Sequence, residues 1–138
     1  CYAFHHHFQR GPVARSVVIL CSRARLSCRH HRTPGFRGFV AEEDGHLVAL
    51  CFGHKRRWWQ GDEYFIDELG VLPGRQRKGI GSQLLRHVRE RLRQEGVQYI
   101  SLLTERGIPA EQFYLKEGFQ KSKDVIYMYQ YLEPSEAD

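Results

Sequence analysis

The stretch Val71-Leu72-Pro73-Gly74-Arg75-Gln76-Arg77-Lys78-Gly79-Ile80-Gly81-Ser82 combines the three ingredients of an anion site. Arg75, Arg77 and Lys78 bring positive charge to one short loop. Gly79 and Gly81 allow the backbone to approach a ligand with no side chain in the way. The pattern of a strong amphipathic helix begins at Ile80, and the N–H groups of a helix's first turn, together with its dipole, attract anions. Each exposed electrostatic contribution is only about 0.3–1 kcal/mol, so convergence of several is what would hold a pyrophosphate. A Walker loop is excluded because no Lys follows Gly79 or Gly81. A dinucleotide fingerprint needs three spaced glycines after a first strand, and only two stand here. The bland alternative is a strand-to-helix turn with surface charges.

Such a loop needs a strand before it and a helix after it, and the surrounding pattern supplies both. Phe39 to Glu42 reads as a short strand, Asp44-Gly45 as a tight hairpin turn, and His46 to about His54 as the partner strand. Lys55 to Asp62 reads as a polar loop carrying Trp58 and Trp59, and Glu63 to Val71 as a third strand. Ile80, Leu84, Leu85, Val88 and Leu92 then mark one face of a helix that Gly96 stops. Val97 to Thr104 is a further strand, and Pro109 starts a second helix running through Phe113, Tyr114 and Leu115 to Gly118. Phe119–Lys121 and Val125–Tyr131 read as two last strands, with Tyr127, Tyr129 and Tyr131 on one face. Strand-helix-strand in the middle implies a parallel crossover, and the hairpins imply antiparallel pairing. The expected fold class is therefore α/β with a central mixed sheet flanked by helices.

Gln76-x-x-Gly79-x-Gly81 after a strand ending Leu69-Gly70-Val71-Leu72-Pro73 resembles the coenzyme A pyrophosphate loop of the GNAT superfamily of N-acyltransferases. Ala110-x-x-Phe113-Tyr114-Leu115-Lys116-Glu117-Gly118-Phe119 resembles that family's second signature. Both occur in the family's order, and the resemblance covers about Gly38 to Leu132. It implies a GNAT-like fold and acetyl-CoA as co-substrate, with no metal. It also implies direct transfer of the acetyl group to a primary amine, with a small-molecule acceptor preferred. A protein N-terminus or lysine is the alternative acceptor, and a catalytically silent coenzyme A-binding sensor or interaction module the alternative class.

Carried onto this chain, the resemblance has the backbone of Leu69 and Val71 pairing with the pantetheine arm like an extra strand. Gln76, Arg77, Lys78, Gly79, Ile80, Gly81 and Ser82 cradle the pyrophosphate. Tyr114 matches the acid that protonates the departing thiolate; otherwise it is a core aromatic beside Phe113. An amine is mostly protonated at neutral pH, so a base or a water chain must take a proton. Asp67 and Glu68 are the candidates, and regular alternation places them on opposite faces of their strand. Asp67 is preferred, the alternative being that both form surface pairs or bind a cationic substrate. The family often places an Asn after its next strand, and Thr104 to Ile108 contains none. Trp58 and Trp59, with Asp62 and Glu63, either cap a cationic amine or shield a hairpin.

The first 37 residues read differently. Residues 1–41 hold seven Arg and no acid, whereas all 16 acids lie in the remainder beside the other 14 Lys and Arg. The net charge of +5 therefore belongs to the front, and a nucleic-acid partner is not expected of the folded body. Five of the eight His and three of the four Cys also lie there. An organellar transit peptide, a zinc site on Cys21, Cys28, His30 and His31, and a foreign or wrong-frame stretch are the competing readings, and the last is preferred. Residues 1–37 are thus expected to be atypical and 38–138 to form the N-acetyltransferase domain. Cys51, in an apolar run, reads as a buried thiol. No run of 18 apolar residues exists, so no membrane partner is expected. A reducing, cytoplasmic setting is the default, and a homodimer is allowed.

Overall fold

A computed structural model describes residues 13–17 and 34–134. They fall into two compact units, one ending at Leu103 and the other running from Thr104. The first unit is built on five strands in the order β1-β2-β3-β4-β5. These are β1 Val13–Val17, β2 Phe36–Glu43, β3 His46–Trp58, β4 Gly61–Val71 and β5 Tyr99–Leu102. The first four pair antiparallel and β5 joins β4 parallel, so the sheet is mixed as expected. The zinc reading on Cys21, Cys28, His30 and His31 lies outside the described residues.

β2 and β3 meet through Asp44 and Gly45, both at positive φ (50° and 77°), the geometry of a two-residue hairpin turn. The polar loop expected over 55–62 is instead a continuation of β3 and β4 around a turn at Trp59-Gln60. Polar residues sustain a ladder there because opposite charges face one another across it. Arg56 lies opposite Glu63 and ion-pairs with it, and Arg57 lies opposite Asp62 at 3.7 Å.

Helix α1, Ile80–Gln94, carries the β4-to-β5 crossover. Its Ile80, Leu84, Leu85, Val88 and Leu92 are all buried, which is why a 3.6-residue period appears in the sequence. Burying each such side chain contributes roughly 1.5–3 kcal/mol. The helix ends in a Schellman motif: Gly96 sits at φ 78°, its N–H donates to the Arg93 carbonyl at 3.0 Å, and Val97 N–H donates to Leu92 at 3.0 Å. Glu95 then ties this end to the sheet through Arg37 (2.9 Å) and Lys55 (3.1 Å).

On the α1 side of the sheet the core holds Phe39, Cys51 and Tyr64. The Phe39 ring meets Tyr64 edge-on at 6.1 Å and His87 of α1 at 6.0 Å. The Tyr64 hydroxyl donates to the Arg37 carbonyl on β2 at 2.9 Å. To reach it the ring passes over Gly53 of β3, where an added Cβ would stand 2.7 Å from Tyr64 Cζ and 2.2 Å from the Phe65 carbonyl oxygen.

The second unit contains α2, Pro109–Lys116. Pro109 stands in its first turn, and the Glu111 carboxylate accepts from the Gly107 N–H (2.6 Å) and pairs with Lys121 (2.6 Å). Those two contacts hold the Glu111 carboxyl below the usual carboxylate range. The two strands expected over 119–131 are not formed. The Tyr127, Tyr129 and Tyr131 rings do line one side, 6.0 and 5.5 Å apart in sequence, but they are mostly exposed and the backbone has no ladder among the described residues. Alternation marks an extended chain; a strand also requires a neighbour to accept its hydrogen bonds.

Gly53→Ala is expected to lower stability by about 1–3 kcal/mol, because both the Phe65 carbonyl on β4 and the Tyr64 ring must shift to admit a methyl group. Urea unfolding measures this, and an unchanged midpoint would show that the ring has room to shift.

Candidate active site

The site begins with a slip in the β3–β4 ladder. Phe52 faces Glu68, yet the next residue, Gly53, faces Ile66, so Asp67 is an extra residue on β4. A bulge of this kind bends the strand and re-aims side chains. It also corrects the expectation that Asp67 and Glu68 lie on opposite faces. Glu68 stands opposite Phe52, whose ring packs on Phe36 (5.8 Å), and Phe36 stands opposite His54. Asp67 reaches the same face, where its Oδ2 lies 2.9 Å from His54 Nδ1. Leu69 stands opposite Cys51 and shares the α1 face instead. Period-two alternation could not reveal this, because an inserted residue inverts the pattern beyond it.

The same position marks a change on the other edge of β4. The parallel ladder to β5 runs from Glu63–Tyr99 to Ile66–Leu102 and stops. From Asp67 to Val71 that edge of β4 has no strand beside it among the described residues. Leu69 and Val71, the two residues expected to pair with an extended ligand, lie on this stretch and are half-exposed.

The loop that follows is shaped by short-range contacts. Leu72 N–H donates to the Val48 carbonyl at 2.9 Å, and Pro73–Arg75 forms one 3-10 turn. The Gln76 side-chain amide donates back to the Val71 carbonyl at 3.2 Å, and Arg75 pairs with Glu43 of β2 at 2.9 Å. Arg75 is thereby used for anchoring. Arg77 and Lys78 are exposed at the loop's crest. Arg77 holds φ 63°, an unusual state for a residue with a side chain, and Gly79 holds φ 76° as the residue before α1.

The first bond within α1 runs from Gln83 N–H to the Gly79 carbonyl at 3.0 Å, so the amides of Ile80 and Gly81 precede it. No acidic residue stands in this first turn and no side chain caps it. A Cβ placed on Gly79 would meet no atom within 4 Å, so space is open at the mouth. Open backbone, two exposed cations and an uncapped helix start fit a pyrophosphate. The unpaired β4 edge leading into that loop fits an extended arm with amide groups of its own.

Tyr114 lies in the second unit, half-buried on α2, with its ring edge-on to Phe113 and Phe119 at 5.4 Å each. Asp67, Glu68, Leu69, Val71 and the loop from Gln76 to Ser82 are thus gathered by the first unit, and Tyr114 belongs to the other. His54 is the residue that sequence reasoning missed. It sits in an apolar strand, and only the ladder register shows that it meets Asp67. The pairing of Trp58 and Glu63 with a cationic ligand is already taken internally. The Arg56 guanidinium lies 5.2 Å from the Trp58 ring, and buried Glu63 accepts from Arg56 and from the Ser101 hydroxyl.

Among the described residues the free cysteine is Cys51, fully buried, and burial pushes its thiol up to about 12 against a smaller lowering by Tyr64. It cannot act as a thiolate nucleophile at neutral pH. No three His, Cys, Asp or Glu side chains gather as a metal site among the described residues. Likewise no described helix is long and apolar enough to cross a membrane.

Comparison with known proteins accords with this geometry. The model of the acetyltransferase (GNAT) family matches residues 4–119. An aminoalkylphosphonate N-acetyltransferase of Salmonella typhimurium is 42% identical over 89 residues, covering 60% of this chain and 56% of that protein. The chain therefore spans about half the length of that relative. Among solved structures, an aminoglycoside acetyltransferase from an uncultured soil metagenomic sample, in complex with trehalose, aligns with a TM-score of 0.65 at 19% identity, covering 76% of this chain and 71% of that one. The aminoglycoside N-acetyltransferase AAC(6')-Iy in complex with CoA aligns at 0.64 and 17%, covering 75% and 81%. At these identities the likeness to the solved structures is one of fold.

Arg77→Gly separates the loop's shape from its charge. Glycine adopts φ 63° without the roughly 1 kcal/mol or more that a side chain costs there, so the melting temperature is expected to hold or rise. Acetyl-CoA affinity, measured by calorimetry, is expected to fall several-fold with the lost cation; equal affinity would remove Arg77 from the cradle.

Proposed function

The chain belongs to the GNAT acetyltransferase family, and we propose that it transfers the acetyl group of acetyl-CoA directly to the primary amine of a small molecule. The observation that carries this reading is the unpaired edge of β4 from Asp67 to Val71, running straight into the basic loop at the start of α1. In this reading the backbone of Leu69 and Val71 pairs with the pantetheine arm, and the amides and cations from Gln76 to Ser82 hold the pyrophosphate. Acetyl-CoA supplies the activated acyl group; the chain supplies alignment, which accounts for a large share of the rate in such transfers.

Among the described residues the cysteine, Cys51, is sealed in the core and protonated, so it offers no thiolate for an acyl-enzyme, which favours direct transfer. Tyr114 is assigned to protonate the leaving thiolate. A small-molecule acceptor is favoured by relatives named for aminoalkylphosphonates and aminoglycosides, which are among the proteins similar to this chain. A protein N-terminus or lysine is the alternative acceptor.

Calorimetric titration with acetyl-CoA, followed by a thiol-release assay over a panel of amines, tests the reading. Micromolar binding with amine-dependent thiol release is the expected outcome, and binding without thiol release would mark a silent coenzyme A-binding module. Tyr114→Phe is expected to lower kcat by about 10²-fold, the usual scale for losing a general acid, with little change in acetyl-CoA affinity. Undiminished turnover would return Tyr114 to a packing role.

A further inference from the structure

We infer that His54 is the general base of this acyl transfer and that Asp67 is the residue that positions it, an assignment that rests on the acyltransferase reading above. His54 Nδ1 and Asp67 Oδ2 are 2.9 Å apart, and the two side chains are 24% and 20% exposed, reachable by a ligand yet held by their neighbours. The Phe65 ring, opposite His54, packs against the imidazole at 5.8 Å. Asp67, the residue after Ile66, lies on the face of His54 and Phe65, and the bulge leaves it without a partner on β3 and brings Glu68 onto the same face.

An ionised carboxylate only accepts hydrogen bonds, so Nδ1 carries the proton and donates to Asp67, and Nε2 of the neutral ring keeps its lone pair. Asp67, the base candidate from sequence, thereby has an oxygen engaged in holding a better-suited base. Imidazole exchanges protons near neutral pH, whereas a carboxylate is a weak base there. The position also suits the chemistry. Val71 adjoins the pyrophosphate loop and Asp67 lies four residues back, about 13 Å along the strand. An arm laid along this edge from the loop therefore brings its far end to the Asp67–His54 pair. The other charged groups on this face are Glu68, next to Asp67, and Arg56, which lies over Phe65 at 4.8 Å and is paired with Glu63.

In the step proposed, His54 Nε2 takes one proton from the bound ammonium. The freed amine nitrogen bonds to the thioester carbon, and the carbon–sulfur bond breaks. The departing sulfur takes a proton through solvent, the acylated nitrogen gives one up to solvent, and His54 releases its own to solvent. Atoms and charges balance with no further reagent.

The test compares the wild-type chain with His54→Gln and Asp67→Asn for acetyl-CoA affinity, kcat and the pH profile of thiol release. His54→Gln is expected to lower kcat by about 10²-fold or more, with affinity held within about twofold, and to abolish the rise of rate through neutral pH. Asp67→Asn is expected to reduce kcat less than His54→Gln does, with acetyl-CoA affinity again held within about twofold, because the imidazole loses the carboxylate that orients it. A His54→Gln chain with wild-type kcat and profile overturns this assignment alone. A wild-type chain that binds acetyl-CoA but releases no thiol with any amine overturns the acyltransferase reading and this assignment with it.

Discussion

Backbone pairing along β4 is the constraint on which the rest of the molecule depends. One edge of this strand is matched to β3 from Gly61 to Val71, while the other is matched to β5 only as far as Ile66. A buried sheet edge without partners is costly, and an exposed one is a template for another extended chain. The open stretch from Asp67 to Val71 is thus a place where a ligand with amide groups can complete the sheet. In the proposed function, its position next to the α1 start couples strand-like recognition to anion binding within a single connection.

Helix α1 makes that coupling rigid. Its apolar stripe is sealed against the sheet, its far end is locked by the Gly96 motif, and Glu95 clamps Arg37 and Lys55 from two strands. Its start is left without an acidic residue or a capping side chain. These anchors lie away from the mouth, and the mouth carries an unfavourable backbone state, Arg77 at φ 63°. This division is expected where preorganised donors must meet an anion without rearranging.

Polar groups on the sheet face opposite α1 are sorted by how completely they are satisfied. Glu63 is buried and spent on Arg56 and Ser101. Asp67 and His54 form a half-exposed pair, and Glu68 is open to solvent. A fully satisfied carboxylate holds the fold, whereas a half-exposed pair at a bulge retains a group that can exchange a proton.

Residues that act through local patterns could be read directly from the sequence. The stripe Ile80-Leu84-Leu85-Val88-Leu92, the Asp44-Gly45 turn, Pro109 and Gly96 each specify their element through near-neighbour geometry. The Gly79-x-Gly81 loop was legible because backbone access and charge within a few residues are local properties too. What tertiary structure alone decided were matters of register. Whether Lys55 to Asp62 loops or pairs depends on opposite charges meeting across a ladder. Whether 119–131 forms strands depends on a neighbour, and whether Glu68 shares the face of Asp67 and His54 depends on one extra residue facing Phe52 and Gly53. A period of two within one strand carries no record of its partner's register, so these contacts existed only once the chain had folded.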